Sequence, residues 1–386
     1  MTEVYAKAQE FAQRVIAPRA KEIDETDEFP VDVFKKLWEE GWMSLCIPKE
    51  FGGGDGGFLE HTEAVYAFSE VSGTVGICYF QHNTTMFEVK NVGTPQLKEE
   101  VFNGVVKDGK IAALACSEIG TGCHFYSCQT TSERNADGTI HIKGEKSMVT
   151  MAGYASWYCI DCQSLGGPEP ITQYLIPAKE GGISLRTADW HGMGMHGNIS
   201  CPIEIDEDVE EYYRYEGDEG EGKGISQILA IVAPPFILGL SALYGGITTG
   251  LSNEATAYAM QREFPCGTYE VMNNKKLCEV ESIQNHLGHL YYLSHACKAC
   301  AFDAAKAMDA GEPDAVLRIM SARGNSMENV IEASKLAMRV VGGKGYNKAS
   351  NVERMVRDGY AGQVMAPSAD VLSLWVGRLI TGQSPL

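Results

Sequence analysis

Three glycine-rich stretches and two cysteine pairs hold the residue types that could do chemistry in this chain. The first stretch is Ala113-Leu-Ala115-Cys-Ser117-Glu118-Ile-Gly120-Thr121-Gly122-Cys123. Strand-forming residues run there into small ones, a pattern that can cradle a flat ring and a phosphate. The second is Arg339-Val-Val-Gly342-Gly343-Lys-Gly345-Tyr346. Glycines at a helix end let backbone N–H groups approach a ligand, although the same glycines also make a plain helix stop. The third, Gly192-Met-Gly194-Met-His196-Gly197, matches the GxGxxG of dinucleotide folds. That fingerprint must follow a strand and open a helix. Here ISCPIEIDE follows and reads as another strand, so a nicotinamide site is rejected.

The pairs Cys159/Cys162 and Cys297/Cys300 raise a four-thiolate zinc site. The first pair lies in strand-like WYCIDCQ, where residues three apart point to opposite faces. The second lies in a helix-like segment with His286 and His289. The cysteines are read as small apolar residues, and no metal is expected.

Three blocks of pattern must position these residues. From about residue 3 to 112 the spacing is helical: Val33, Phe34, Leu37 and Trp38 share one face, entered through Phe29-Pro30. FGGGDGG is a loop. From 113 to 222 short strand signals follow one another: TIHIKGEK, WYCIDCQ, TQYLIPA, GISLRTA and CPIEIDE. That spacing predicts a small sandwich or barrel. From 223 to 386 helical periods return, with Ile283, Leu287, Leu290 and Tyr291 on one stripe and Val330, Ser334, Ala337 and Val341 on another. Between strands and helices, Glu204 to Glu221 holds ten acidic residues and one basic one, Arg214, and reads as a solvated loop open to a basic partner. The expected class is α+β, mostly α, with domains 1–112, 113–222 and 223–386. Helices, strands, then helices do not suit a βαβ nucleotide fold.

The chain has 386 residues, enough for two or three packed domains. Its net charge of −19 repels phosphate backbones and anionic lipid, which argues against nucleic-acid or membrane binding. The first residues lack a basic end followed by an apolar core. No apolar run reaches about 18 residues; the nearest, Ile228 to Tyr244, is broken by Pro234 and Pro235. A cytoplasmic protein with free thiols is expected.

Taken in order, the motifs resemble the acyl-CoA dehydrogenase family over nearly the whole chain. FPVDVFKKLWEEGW…IPKEFGG is similar to its N-terminal helical region, and ALACSEIGTGC to its flavin-binding loop, Thr-Glu-Pro-x-Ala-Gly-Ser. KSMVTMAGYASWY resembles the strand carrying Trp-Ile-Thr beside the flavin. HGMGMHGN, GDEGEGKG, ATAYAMQREF and VVGGKGYNKASNVERMVRDG match further family segments. The resemblance implies an N-terminal helical domain, a middle β domain and a C-terminal four-helix bundle, with FAD between them. It implies flavin contacts at Ala115, Ser117, Gly122, Cys123, Met148 and Thr150. Further FAD contacts would come from Arg262 and Phe264 across a subunit interface, and from Arg339, Gly342, Gly343, Ser368 and Asp370. It also implies an acyl thioester substrate on CoA or a carrier protein, an electron-transfer flavoprotein as electron partner, and a dimer or tetramer of identical subunits.

The sequence departs from that pattern where the family abstracts a proton. The usual glutamate before Gly-Thr is Ala366, and alanine accepts no proton. The second location used by the family, on the first helix of the C-terminal domain, aligns with Phe236 and Ile237, and LAIVAPPFILGL has no ionisable residue. The flavin-side tryptophan is Met148, the loop serine is Cys123 followed by His124, an arginine is His196, and a glutamine is Arg339. Asp370, Glu118 and His124, or a tyrosine such as Tyr346, remain as displaced proton-transfer groups. Asp370 alternatively contacts FAD or caps the following helix. Three readings stand. The first is an FAD-dependent enzyme that dehydrogenates an acyl thioester at Cα–Cβ or runs the reverse reduction. The second is a flavin monooxygenase or N-hydroxylase, which needs no Cα base. The third is a non-catalytic subunit completing a shared FAD site. Under the first, the side chain lost at Ala366 leaves room for a branched or cyclic acyl group.

Overall fold

The apolar spacing of the first block folds as read. The computed structural model describes residues 2–122, 124–264 and 275–384. Helices α1 (Glu3–Phe11), α2 (Ala20–Thr26), α3 (Val31–Glu39), α4 (Phe58–Ser69), α5 (Gly73–Val92) and α6 (Pro95–Asp108) come first. Val33, Phe34 and Leu37 of α3 are buried, and Pro30 stands at its N-cap. Helices α4 and α5 are buried nearly all round, which marks them as central rather than surface helices. Ser72 caps α5 by accepting from Val75 N.

Seven strands follow: β1 (Ala112–Ala115), β2 (Thr131–Arg134), β3 (Ile140–Val149), β4 (Trp157–Gln163), β5 (Ile171–Pro177), β6 (Ile183–Leu185) and β7 (Cys201–Val209). They form two sheets, ordered β1-β4-β5 and β2-β3-β7-β6. Only β1 and β4 pair in parallel; the other pairs in these sheets are antiparallel.

The chain then returns to helix: α7 (Gly224–Gln227), α8 (Ala233–Gln261), α9 (Glu281–Asp309), α10 (Ala315–Val341), α11 (Asn351–Tyr360) and α12 (Ala369–Ile380). Two-residue strands β8 (Glu263–Phe264) and β9 (Lys275–Lys276) pair between α8 and α9. Helices α8 to α11 pack on one another as the C-terminal bundle, and α4 and α5 lie along α8. The stripe Val330, Ser334, Ala337, Val341 is buried, and α10 ends where Gly342 takes φ +63°.

Three expectations are corrected. Pro234 and Pro235 do not break the apolar helix. They fall in the first turn of α8, directly after a π-helical turn at Ile228–Val232, whose wider hydrogen-bond spacing accommodates the missing N–H groups. The helical run 224–261 is thus long and apolar enough to cross a membrane, but 67% of its most apolar window is buried within the fold.

The acidic stretch from Glu204 is not loop throughout, although most of its acidic side chains are solvated. Residues to Val209 belong to β7, with Ile203, Ile205, Glu207 and Val209 facing in. Arg214 is 1% exposed and held by Glu211, Asp218 and Glu221 at 2.7, 2.5 and 2.9 Å. Three carboxylates of the stretch thus serve Arg214, while Glu204, Asp206, Asp208, Glu210, Glu216, Asp218 and Glu219 are exposed. Tyr291 lies off the buried face of α9, at 63% exposed, because Ser294 and Cys297 carry the buried stripe instead.

Candidate active site

Thr150 stands one residue past β3 and is 3% exposed. Its Oγ1 accepts a hydrogen bond from Gln81 Nε2 of α5 at 3.0 Å and pairs with Ser200 Oγ at 2.9 Å. The turn that follows is braced by the 198–200 loop: Met151 N donates to Asn198 O at 2.8 Å, and Met151 takes φ 63°. Alongside, Ser147 N donates to Ser117 O at 2.8 Å, which ties β3 to the loop leaving β1. Ala115, the last residue of β1, is buried, while Ser117 and Gly122 (φ 55°) are exposed. Cys123 lies outside the described residues.

Glu118 locks this loop. Its carboxylate accepts from Gln129 N (2.5 Å), Thr130 N (3.1 Å), Thr130 Oγ1 (2.6 Å) and Lys146 Nζ (2.7 Å). Burial pushes its pKa up, but the Lys146 charge and the hydrogen bonds outweigh that and hold it below the usual range. A buried carboxylate that already accepts from four donors, one of them an ammonium, is poorly placed to take a substrate proton, so Glu118 is not favoured as the displaced base. His124 is exposed and its Nδ1 pairs with Tyr126 Oη at 2.6 Å. Tyr346 is also exposed, at 82%.

The loop carrying Ala366 is held from beneath. Arg323 of α10, fully buried, donates from Nη2 to Gly362 O at 2.8 Å. Its guanidinium lies over the Tyr244 ring at 4.9 Å, and Gln363 Nε2 donates to Met327 O at 2.7 Å. Ala366 itself is exposed. Ser368 stands at the N-cap of α12 without a side-chain cap bond, and Asp370 lies exposed in its first turn rather than at the cap.

At the second location, Phe236 is half-buried and Ile237 buried on α8. The titratable side chain hydrogen-bonded to this turn is His61, whose Nε2 lies 3.1 Å from Pro235 O. Burial pushes its pKa down to about 4, so it is neutral.

The residues present fit a flavin at one end. Ile119 and Met148 leave large apolar side chains 78% and 63% exposed beside the hydroxyls of Ser117 and Thr150, and a flat ring would cover them. The side-chain oxygen of Gln81, Oε1, is buried without a partner. Arg262, stacked over Phe264 at 4.9 Å, is exposed, as are Arg339, Gly342 and Gly343. Among the described residues no hydrogen bond or ion pair joins these four to the Ser117–Thr150 group. Nor is any His, Cys, Asp and Glu cluster there arranged to hold a metal ion.

Sequence reasoning missed Gln81, Ser200, Tyr244 and Arg323. Gln81 sits in a helix buried all round, so no polar stripe singled it out.

Helices, paired sheets and a second helical bundle, with hydroxyls presented at the end of β3, define the class. Residues 2–108, 113–207 and 240–378 match the N-terminal, middle and C-terminal domains of acyl-CoA dehydrogenase. The chain belongs to the acyl-CoA dehydrogenase family and is an FAD-dependent oxidoreductase of that type. It is 29% identical over 358 residues to a 3-(aryl)acrylate reductase of Clostridium sporogenes, covering 91% of this chain and 90% of that one. It is 26% identical to a short-chain specific acyl-CoA dehydrogenase of Clostridium acetobutylicum, covering 96% and 95%. Butyryl-CoA dehydrogenase from Megasphaera elsdenii has the same fold, with a TM-score of 0.89, 21% identity and 99% of both chains covered.

Proposed function

We propose that this chain reduces an activated Cα–Cβ double bond of an acyl thioester or closely related carbonyl compound. FAD, when bound, supplies the hydride chemistry at Cβ. The residues around it position and exclude. Thr150, fixed by Gln81 and Ser200, would offer its hydroxyl to the ring. Met148 and Ile119 offer apolar cover. Arg262 and Phe264 would reach the FAD of a second copy, and Arg339, Gly342 and Gly343 its phosphate end, which supports an assembly of identical subunits.

The observation that carries the direction is at Ala366. Removing a proton from Cα needs a positioned base of matched pKa. Neither family location supplies one here, and Glu118 is engaged elsewhere. Delivering a proton to Cα after hydride transfer is less demanding, because water can reach an exposed Ala366. The relative named a reductase supports the same direction. An electron-transfer flavoprotein is the expected electron donor, and the cytoplasm the expected location.

The test is anaerobic. Dithionite-reduced holoprotein is mixed with enoyl thioesters, and oxidised holoprotein with acyl thioesters, while flavin absorbance is followed. Reoxidation by the enoyl compounds alone is expected. Bleaching by saturated thioesters at comparable rates would overturn the direction. The lack of a base also suits a monooxygenase. A product carrying labelled oxygen from O₂ would establish that reading instead.

A further inference from the structure

We infer that His196 is a positioning residue for the flavin site: through the turn 197–200 it holds the Ser200 and Thr150 hydroxyls together, and it does so more firmly when its ring is protonated. This role requires a flavin at Thr150 and is the same for either direction of the reaction.

The turn is held against its own backbone preference. Met195 and Ile199 take φ 52° and 48°, on either side of His196, Gly197 and Asn198. The left-handed region is costly for a β-branched residue such as Ile199, and it persists only where the surroundings fix it. What the turn presents lies on the flavin side. Asn198 O accepts from Met151 N at 2.8 Å, and Asn198 Oδ1 accepts from Ser200 N at 3.0 Å. Ser200 Oγ then pairs with Thr150 Oγ1 at 2.9 Å. If the turn relaxes, Ser200 leaves Thr150.

His196 is where the end of α2 and α11 clamp that turn. Its Nδ1 lies 2.8 Å from Asp24 O, 2.9 Å from Asp27 Oδ1 and 3.5 Å from Asp24 Oδ1. All three accept, so Nδ1 carries a proton and donates. Nε2 has a choice. It lies 3.3 Å from Arg357 Nη1 of α11, a donor, and 3.3 Å from Met193 O, an acceptor. A neutral ring accepts from Arg357. A charged ring donates to Met193 O, which Arg357 also reaches. Among the other charges at this seam, Arg357 holds Asp24 and Glu353, and Asp358 accepts from Met195 N at 2.6 Å. The charged ring thus faces two carboxylates and one guanidinium, and its bond to Asp27 is charged on both sides, the stronger kind. Imidazole changes charge between about pH 5 and 8.

The experiment follows FAD release from purified holoprotein by flavin fluorescence after dilution, at pH 5.5 and 8. It compares the unaltered chain with His196→Arg, His196→Gln and Asp27→Asn, and FAD per subunit at the start checks folding. Release from the unaltered chain is expected to be about fivefold faster at pH 8, the ratio between a charged and a neutral hydrogen bond. That step should vanish in both His196 variants. Release stays slow in His196→Arg, whose charge is permanent, and fast in His196→Gln. Asp27→Asn, at the exposed end of the clamp, should shrink the step. An undiminished step in His196→Gln would place the titration on another group and overturn the inference. So would equal release rates from His196→Arg and His196→Gln. No thioester enters the measurement, so its outcome is separate from that of the proposed reaction.

Discussion

Lys146 Nζ lies 2.7 Å from Glu118 Oε1, and the two side chains are 0% and 2% exposed. Lys146 also donates to Asp161 O at 2.7 Å. The pair bolts β3 to the loop that presents Ser117. Removing one member of a buried pair leaves an uncompensated charge. Lys146→Met is expected to cost about 3–5 kcal/mol, read from urea unfolding. Lys146→Met combined with Glu118→Gln should cost less than the single change. A single-variant loss below about 1 kcal/mol would mean the pair is solvated.

Thr150 accepts from Gln81 and pairs with Ser200, so Thr150→Val leaves a buried amide donor without its acceptor. The expected cost is about 1–3 kcal/mol. Loss of the hydroxyl should also lower FAD retention on gel filtration more than Gln81→Leu does. Equal FAD retention in both variants would show that Thr150 acts only as a brace.

Glu88 of α5 is fully buried, and Tyr215 Oη donates to its Oε2 at 3.0 Å. Burial raises its pKa from 4.5 to about 8, against weaker lowering by Cys159 and Tyr215. Between those two pH values the folded chain holds a proton that the unfolded chain has released. Stability from this group is therefore complete below about pH 4.5 and declines as pH rises to about 8. The slope is at most about 1.4 kcal/mol per pH unit. Glu88→Gln should flatten that part of the profile, measured by urea unfolding at several pH values. An unchanged slope would place the titration elsewhere.

Ala366→Glu puts a carboxylate at the family's usual position. In the holoprotein it should speed anaerobic flavin bleaching by a saturated short-chain thioester by about 10²–10⁴-fold, the range of a positioned general base. No change, with FAD retained, would show that residue 366 does not face the substrate Cα.

Much of the architecture was legible along the chain. The 3.6-residue period put Val33, Phe34 and Leu37 on the buried face of α3, and five strand signals fell where β3 to β7 form. Strand β2, four residues long and mostly exposed, carried no such alternation and was missed. Pro234 and Pro235 misled because a proline breaks a helix interior but not a first turn following a π turn. The acidic stretch misled because charge alone does not reveal that Arg214 lies buried among its carboxylates.

The order of motifs determined the family, and the resemblance put Ala366 where the usual base is expected. Both are properties of linear position, which a sequence states outright. Whether Glu118 was free to replace that base was decided only by tertiary packing. Gln81 meets Thr150 across 69 residues, and Phe80 finds the gap at Gly239 because two helices from different parts of the chain lie side by side. Periodicity reports which face of an element is buried. The partner it is buried against is chosen by the shape of the assembled core.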